Sequence, residues 1–196
     1  ESMVLNGLTT VAGSNLRLTD YLPGTASSAF FDRKVDITKF KTRFVYNPTK
    51  ATAEGMTFCI QASDPTVVGN SGAGLGYQYL VDRSVAFKVD IFNNVGEGDS
   101  SIGIFTNGKL PTVPSTNLEN TPINFKWGHT YQFDIAYDGW NFNVTIKDLV
   151  TGRYTSSKFT VNIPSIIGGN TAYVGFTAST GVLVSRQDVT SWTMSK

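Results

Sequence analysis

The chain has 196 residues, 40% of them hydrophobic and 16% charged, and a net charge of +1. That length fits one domain with a core large enough to fold without disulfides or metal. Low charge with many glycines argues against a helical bundle, the scattered Lys and Arg form no basic stripe for nucleic acid, and no run of about 18 apolar residues exists to insert in a membrane.

Residues 1–24 hold the short runs VLNG, SNLRLTD and YLPG between turn residues, which predicts two strands, the first at a sheet edge. Phe30–Asp36 and Phe40–Tyr46 alternate apolar and charged residues, the period of strands with one solvated face. Pro48 and TKATAEG read as a loop. Met56–Gln61 is almost wholly apolar, a central strand buried on both faces. Within it Cys59, the one cysteine, reads as a small buried hydrophobe. SDPTVVGNSGAG is a Gly-rich loop, and Leu75–Leu80 starts the next strand or turn.

Val85–Phe92 and Ile102–Thr106 are strands on either side of an Asn-, Gly- and acid-rich loop, and NGK at 107–109 reads as a hairpin turn. Residues 110–124 are an irregular excursion. Two alternating runs meet at Asp138-Gly139, a further hairpin lies at Thr151-Gly152, and IIGGN is a turn. TAYVGFTAST and VTSWTMS close the chain as strands. About a dozen short strands at this spacing predict an all-β protein of two packed antiparallel sheets, a sandwich or jelly roll. Function then falls to loops on a rigid scaffold.

Ser84–Ile104 is the stretch where oxygen ligands, a tight loop and a rigid strand coincide: Asp90 in the strand, Asn94 in the loop and Asp99 beyond it. Several segments around it resemble the L-type (legume-type) lectin domain, especially its bacterial members. They are AEGMTFCIQ, GAGLGY, VAFKVDIFNN, SIGI, and YVGFTASTG followed by DVTSWTMS, in the family's order over residues 53–194. Each alone is weak, and their order makes the fold signal specific. The resemblance implies a concanavalin A-like jelly roll with a shallow sugar site built from four loops near a calcium and a transition-metal ion.

Carried onto this chain, the calcium positions of the family fall on Asp90, the Phe92 carbonyl, Asn94 and Asp99, oxygen donors of the kind calcium takes. The family's transition-metal Glu is Lys88 here, and Ser101 stands nearest its His ligand. Ammonium carries donors only, so no transition metal is expected. Calcium stays open against a loop held by Lys88–Asp90 pairing and Asn turn chemistry. For the sugar, Glu54 matches the family's Asp, one methylene longer, as acceptor of hydroxyls. Gly74 matches a backbone N–H donor, Asn94 an amide donor and Phe92 a stacking ring, while Gly181, Val182 and Leu183 fill the variable fourth loop. Glu54 as a solvated loop acid, Phe92 as core and Gly74 as a turn residue are the plainer alternatives.

A second platform is open to Tyr77, Tyr79, Trp127, Tyr131, Tyr137 and Trp140, most of them better read as core, with Trp140 the best candidate for exposure and Trp192 core. A glycoside hydrolase on the same sandwich needs two carboxylates flanking the bond, and the central strand K-V-D-I-F-N offers one. His129, with no serine-nucleophile motif nearby, supports no triad. The expectation is therefore a non-catalytic carbohydrate-binding module for an oligosaccharide or polysaccharide, with a structural or adhesive sandwich as the other class. The opening ESMVLNG shows no signal peptide and reads as a module excised from a larger secreted protein.

Overall fold

The computed structural model describes residues 2–80 and 82–196, so Glu1, at the head of the opening stretch, lies outside it. The chain opens with three strands rather than two: β1 (Met3–Gly7), β2 (Thr10–Ala12) and β3 (Asn15–Thr19). The alternation over Phe30–Asp36 is not one strand either. β4 (Ala26–Phe31) and β5 (Val35–Asp36) are separated by Asp32, Arg33 and Lys34, three exposed residues in a row that cannot alternate. β6 (Phe40–Thr49) runs through Pro48, which sits near the strand's end, where a missing N–H disturbs little of the ladder.

β7 (Gly55–Gln61) and β9 (Ser101–Thr106) follow as expected, while β8 (Ser84–Asp90) stops at Asp90 and leaves Phe92 in the loop. The NGK turn forms, with Lys109 N–H donating to Thr106 O (3.2 Å). It does not open a hairpin, because the chain leaves into an excursion that pairs only at β10 (Thr116–Asn117). Leu75–Leu80 is turn, after a short 3-10 helix at Gly72–Gly74. β11 (Tyr131–Tyr137), β12 (Asn141–Asp148) and β13 (Tyr154–Thr160) make the two predicted hairpins. A single helical turn, α1 (Ile163–Ile167), precedes β14 (Thr171–Ser179) and β15 (Arg186–Ser195).

The strands form two antiparallel sheets. One runs β1-β4-β14-β7-β8-β9-β10, with β5 also on β14, and the other β13-β12-β11-β6-β15-β3-β2. Between them lies a ladder of rings: Phe44 stacks on Phe133 (4.7 Å) and Phe58 (6.0 Å), and Phe176 meets Trp192 (4.8 Å). Trp192 is only partly buried and stacks on Phe31 at the open side of the sandwich (4.3 Å).

β7 and β8 are buried on both faces for a reason the sequence does not show. Met56, Phe58, Ile60, Val85, Phe87 and Val89 face the other sheet. The opposite face packs Cys59 and Ala86 against Phe30, Tyr77, Leu80 and Phe105, so the segment after β7 folds over the sheet as a second layer. Tyr77 Oη holds it there, bonded to Ser84 Oγ (2.9 Å) and accepting Gly108 N–H (3.0 Å). Cys59 is fully buried, and burial pushes its thiol far above the ordinary range. Native protein should therefore resist alkylation by iodoacetamide and react once unfolded in urea; stoichiometric labelling of the native form would contradict this packing.

Of the six aromatics considered for a platform, Tyr77, Tyr131 and Tyr137 are core, while Tyr79, Trp127 and Trp140 (64% exposed) are on the surface. They lie on separate loops and turns and do not share a sheet face.

Candidate functional site

Register gathers the loops. Ser179 at the end of β14 pairs with Gly55 at the start of β7, Gly55 pairs with Asp90 at the end of β8, and Asp90 with Ser101 at the start of β9. Four strand ends thus fall on one line. The segments 50–54, 91–100 and 180–185 leave from it together. The Gly-rich loop joins them through Gly72, whose N–H donates to Thr180 O (3.0 Å) and whose carbonyl accepts Ser179 Oγ (2.6 Å).

Glu54 sits at the centre of this end. Its peptide bond to Ala53 is cis, and Gly55 follows at φ +140°, where a Cβ would stand 2.4 Å from Val89 O. Glu54 is 5% exposed, so it is not a solvated loop acid. Its Oε1 lies against Gly181, where an added Cβ would be 2.4 Å away. Its Oε2 is buried with no hydrogen-bond partner among the described residues. Burial raises the Glu54 carboxyl above its ordinary range; the Asn94 amide and the Lys126 ammonium oppose that rise, and Glu97 adds to it.

The other predicted residues divide. Phe92 is half-buried, with the Lys126 ammonium 5.7 Å from its ring centre. Asn94 is exposed. Val182 (96% exposed) and Leu183 form an apolar rim, closed by Gly181 N–H donating to Leu183 O (3.1 Å). Gly74 is buried, its N–H donates to Ser71 O (3.1 Å), and a Cβ there would meet Asn70 Cβ at 2.9 Å.

The oxygen donors of the loop are occupied by nitrogen. Asp90 Oδ2 accepts from Lys88 Nζ (2.9 Å) and its Oδ1 from Phe92 N–H (3.1 Å). Lys88 is fully buried and also donates to Thr112 O (2.6 Å). Asp99 Oδ1 accepts Asn93 N–H (3.0 Å). Glu97, a residue the sequence reading passed over, takes Asn94 N–H (2.6 Å) and Val95 N–H (2.7 Å) on Oε1. Burial raises the Asp90 carboxyl, and the Lys88 ammonium and Phe92 N–H pull it back. Among the described residues no three His, Cys, Asp or Glu side chains gather as a metal-ligand cluster.

Lys126 was also missed. Its Nζ donates to Thr52 O (2.7 Å), and Asp99, Glu54 and Asp90 all act on its charge, against the burial that lowers its basicity. Nothing in the local string F-K-W-G signals this; it depends on the 3-10 turn at Phe125–Trp127 lying beside segment 50–54. Glu97 had a local signal, a carboxylate two and three residues after the N–H groups it caps.

The carboxylates of β11 and its turn, the other acids weighed for glycoside cleavage, are already engaged. Asp134 pairs with Arg43 on the outer face (2.6 Å), and Asp138 caps its own turn at Trp140 N–H (2.8 Å) and Asn141 N–H (2.7 Å). His129 Nδ1 bonds the buried Asp148 (2.7 Å), which anchors the 149–152 turn.

The legume lectin domain matches residues 3–196. The chain belongs to the legume lectin family. That family is one of non-enzymatic carbohydrate-binding proteins in which metal ions are typical. Among solved structures, lectin I-B4 of Griffonia simplicifolia in its metal-free form superposes with a TM-score of 0.83 at 20% identity, over 99% of this chain and 92% of that one. Basic winged bean lectin, solved with Tn-antigen, gives 0.84 at 19% over 98% and 91%. The Bauhinia forficata lectin, solved with GalNAc, gives 0.82 at 20% over 99% and 92%. At these identities the likeness is one of fold. An L-type lectin-domain containing receptor kinase (I.7) of Arabidopsis thaliana is 25% identical over 94% of this chain. The legume-lectin chain spans 31% of the length of the curated relatives it matches.

Proposed function

We propose that this lectin domain binds an oligosaccharide or polysaccharide, without catalysis, in a shallow site at the end of the sandwich where Glu54, Asn94, Phe92 and Gly181 meet. The observation that carries the reading is the Glu54 carboxylate, bracketed by Asn94 and Gly181 and with one oxygen lacking a partner among the described residues. A buried acceptor without a donor is costly, and sugar hydroxyls are donors that approach over Gly181, where no side chain stands in the way. Phe92 offers a half-buried ring for stacking, and Val182 and Leu183 an apolar rim for the nonpolar face of a pyranose. Gly74 holds the shape of the loop that abuts Thr180. The domain works as the saccharide-reading part of a longer, exported chain, in keeping with the share of its relatives that it spans. No helix among the described residues is long and apolar enough to cross a membrane.

The test is a glycan array followed by titration of the best ligand. Glu54→Ala and Asn94→Ala should each weaken binding roughly 10- to 100-fold, the worth of one charge-assisted hydrogen bond, with Phe92→Ala losing less. Unchanged affinity in all three folded variants overturns the site. A folded protein that binds no saccharide on the array points to an adhesive sandwich instead.

A further inference from the structure

The family implies a calcium ion at Asp90, the Phe92 carbonyl, Asn94 and Asp99, and the residues present do not fit it. Calcium takes six to eight oxygens at about 2.3–2.6 Å. Here both oxygens of Asp90 and one of Asp99 are already accepting from nitrogen. The loop is closed by its own side chains: Asn93 Oδ1 takes Gly96 N–H (2.7 Å), Glu97 takes the next two amides, and Glu119 takes Asp99 N–H (2.7 Å). A divalent ion at Asp90 must expel Lys88 or lie beside its ammonium in a site with almost no water.

Two cations of the chain itself stand around these carboxylates. Lys88 comes from within β8, locked between Asp90, Thr112 O and the Phe105 ring (5.5 Å). Lys126 comes from the far side, over Phe92, tied to the Thr52 carbonyl two residues before Glu54. We propose that Lys88 and Lys126 together replace the resident ions of the family, so that segment 50–54 and loop 91–100 hold their conformation with no divalent metal bound. One ammonium neutralises Asp90 from below, and the other bridges the backbone leading to Glu54 with the field of Asp99. Only the position of the saccharide site is taken from the reading above; the ion question is decided by stability alone.

Thermal unfolding of the purified domain in excess EDTA, then with excess calcium or manganese chloride, reads it directly. A folded-state ion at about a hundred times its dissociation constant would raise Tm by roughly 5–10 °C in a domain of this size. The expected result is no such rise in wild type. A rise of that order with either ion overturns the proposal. Lys126→Met should lower Tm in EDTA, because Glu54 and Asp99 lose their countercharge; a Tm equal to wild type removes Lys126 from the assignment. Lys88→Glu restores the family's carboxylate and should melt below wild type in EDTA and recover with calcium or manganese. If Lys88→Glu does not fold in EDTA, its refolding on addition of ion gives the same answer. Saccharide binding can fail on the array without moving any of these melting points, and the converse holds.

Discussion

Lys88→Met should be among the most destabilising single changes in this protein that leave the volume of the core nearly intact. The ammonium is fully buried on β8, between Asp90 Oδ2 at 2.9 Å and Thr112 O at 2.6 Å. A methionine fills the same space but leaves Asp90 as a buried carboxylate whose partner is gone. Breaking a buried pair from one side costs about 3–5 kcal/mol, because the remaining charge has lost both water and partner. The same change also leaves the Thr112 carbonyl without its donor. In a domain of this length that is a fall in Tm of roughly 6–20 °C. Adding Asp90→Asn should return part of the loss, since a neutral amide can still accept Phe92 N–H and no longer needs a countercharge. A urea-unfolding double-mutant cycle measures the coupling directly. Lys88→Met within about 1 kcal/mol of wild type, the scale of an ordinary single hydrogen bond, would mean that the pair is not the organising contact of this strand.

The same strand shows what is legible in a sequence and what is not. Period and parity are local, so β8 and the shared face of Lys88 and Asp90 follow from residues 84–90 alone. So do β6, the two hairpins at Asp138-Gly139 and Thr151-Gly152, and the turn at NGK. Whether a turn opens a hairpin depends on what the chain pairs with afterwards. That is why NGK makes a turn but no hairpin. The second apolar layer over β7 and β8 is invisible for the same reason: Tyr77 and Leu80 reach Cys59 and Ala86 only because a loop folds across the sheet. At the site, the chemistry of Glu54, Asn94 and Asp99 could be named from their types and the family's motif order. Their surroundings could not. Lys126 arrives from a turn 72 positions after Glu54, and Gly181 is brought to Glu54 by the Ser179–Gly55 register of β14 and β7. Both are consequences of strand pairing between distant segments, which composition and periodicity do not encode.

Gly181→Ala should separate binding from stability. An added Cβ would stand 2.4 Å from Glu54 Oε1, 3.3 Å from its Cδ and 3.5 Å from its Cγ, and the atom in the way is the far end of a flexible side chain. Gly181 is not among the glycines with positive φ, so alanine meets no backbone strain there. The carboxylate must therefore move while the loop stays. Displacing it from the reach of Asn94 removes the acceptor from the place where sugar hydroxyls arrive, a loss of about 1.5–3 kcal/mol for a hydrogen bond to a charged group, or roughly 10- to 150-fold in affinity. Melting should change by a few degrees at most, because the backbone bonds Gly24 N–H to Gly181 O and Gly181 N–H to Leu183 O remain. Glu54→Asp in the same chain should restore part of the binding, since a side chain one methylene shorter withdraws from the new methyl group. The order of affinities expected by titration calorimetry is wild type, then the double variant, then Gly181→Ala. If Gly181→Ala binds as wild type does, or if the double variant is the weakest of the three, Glu54 does not meet the saccharide across Gly181.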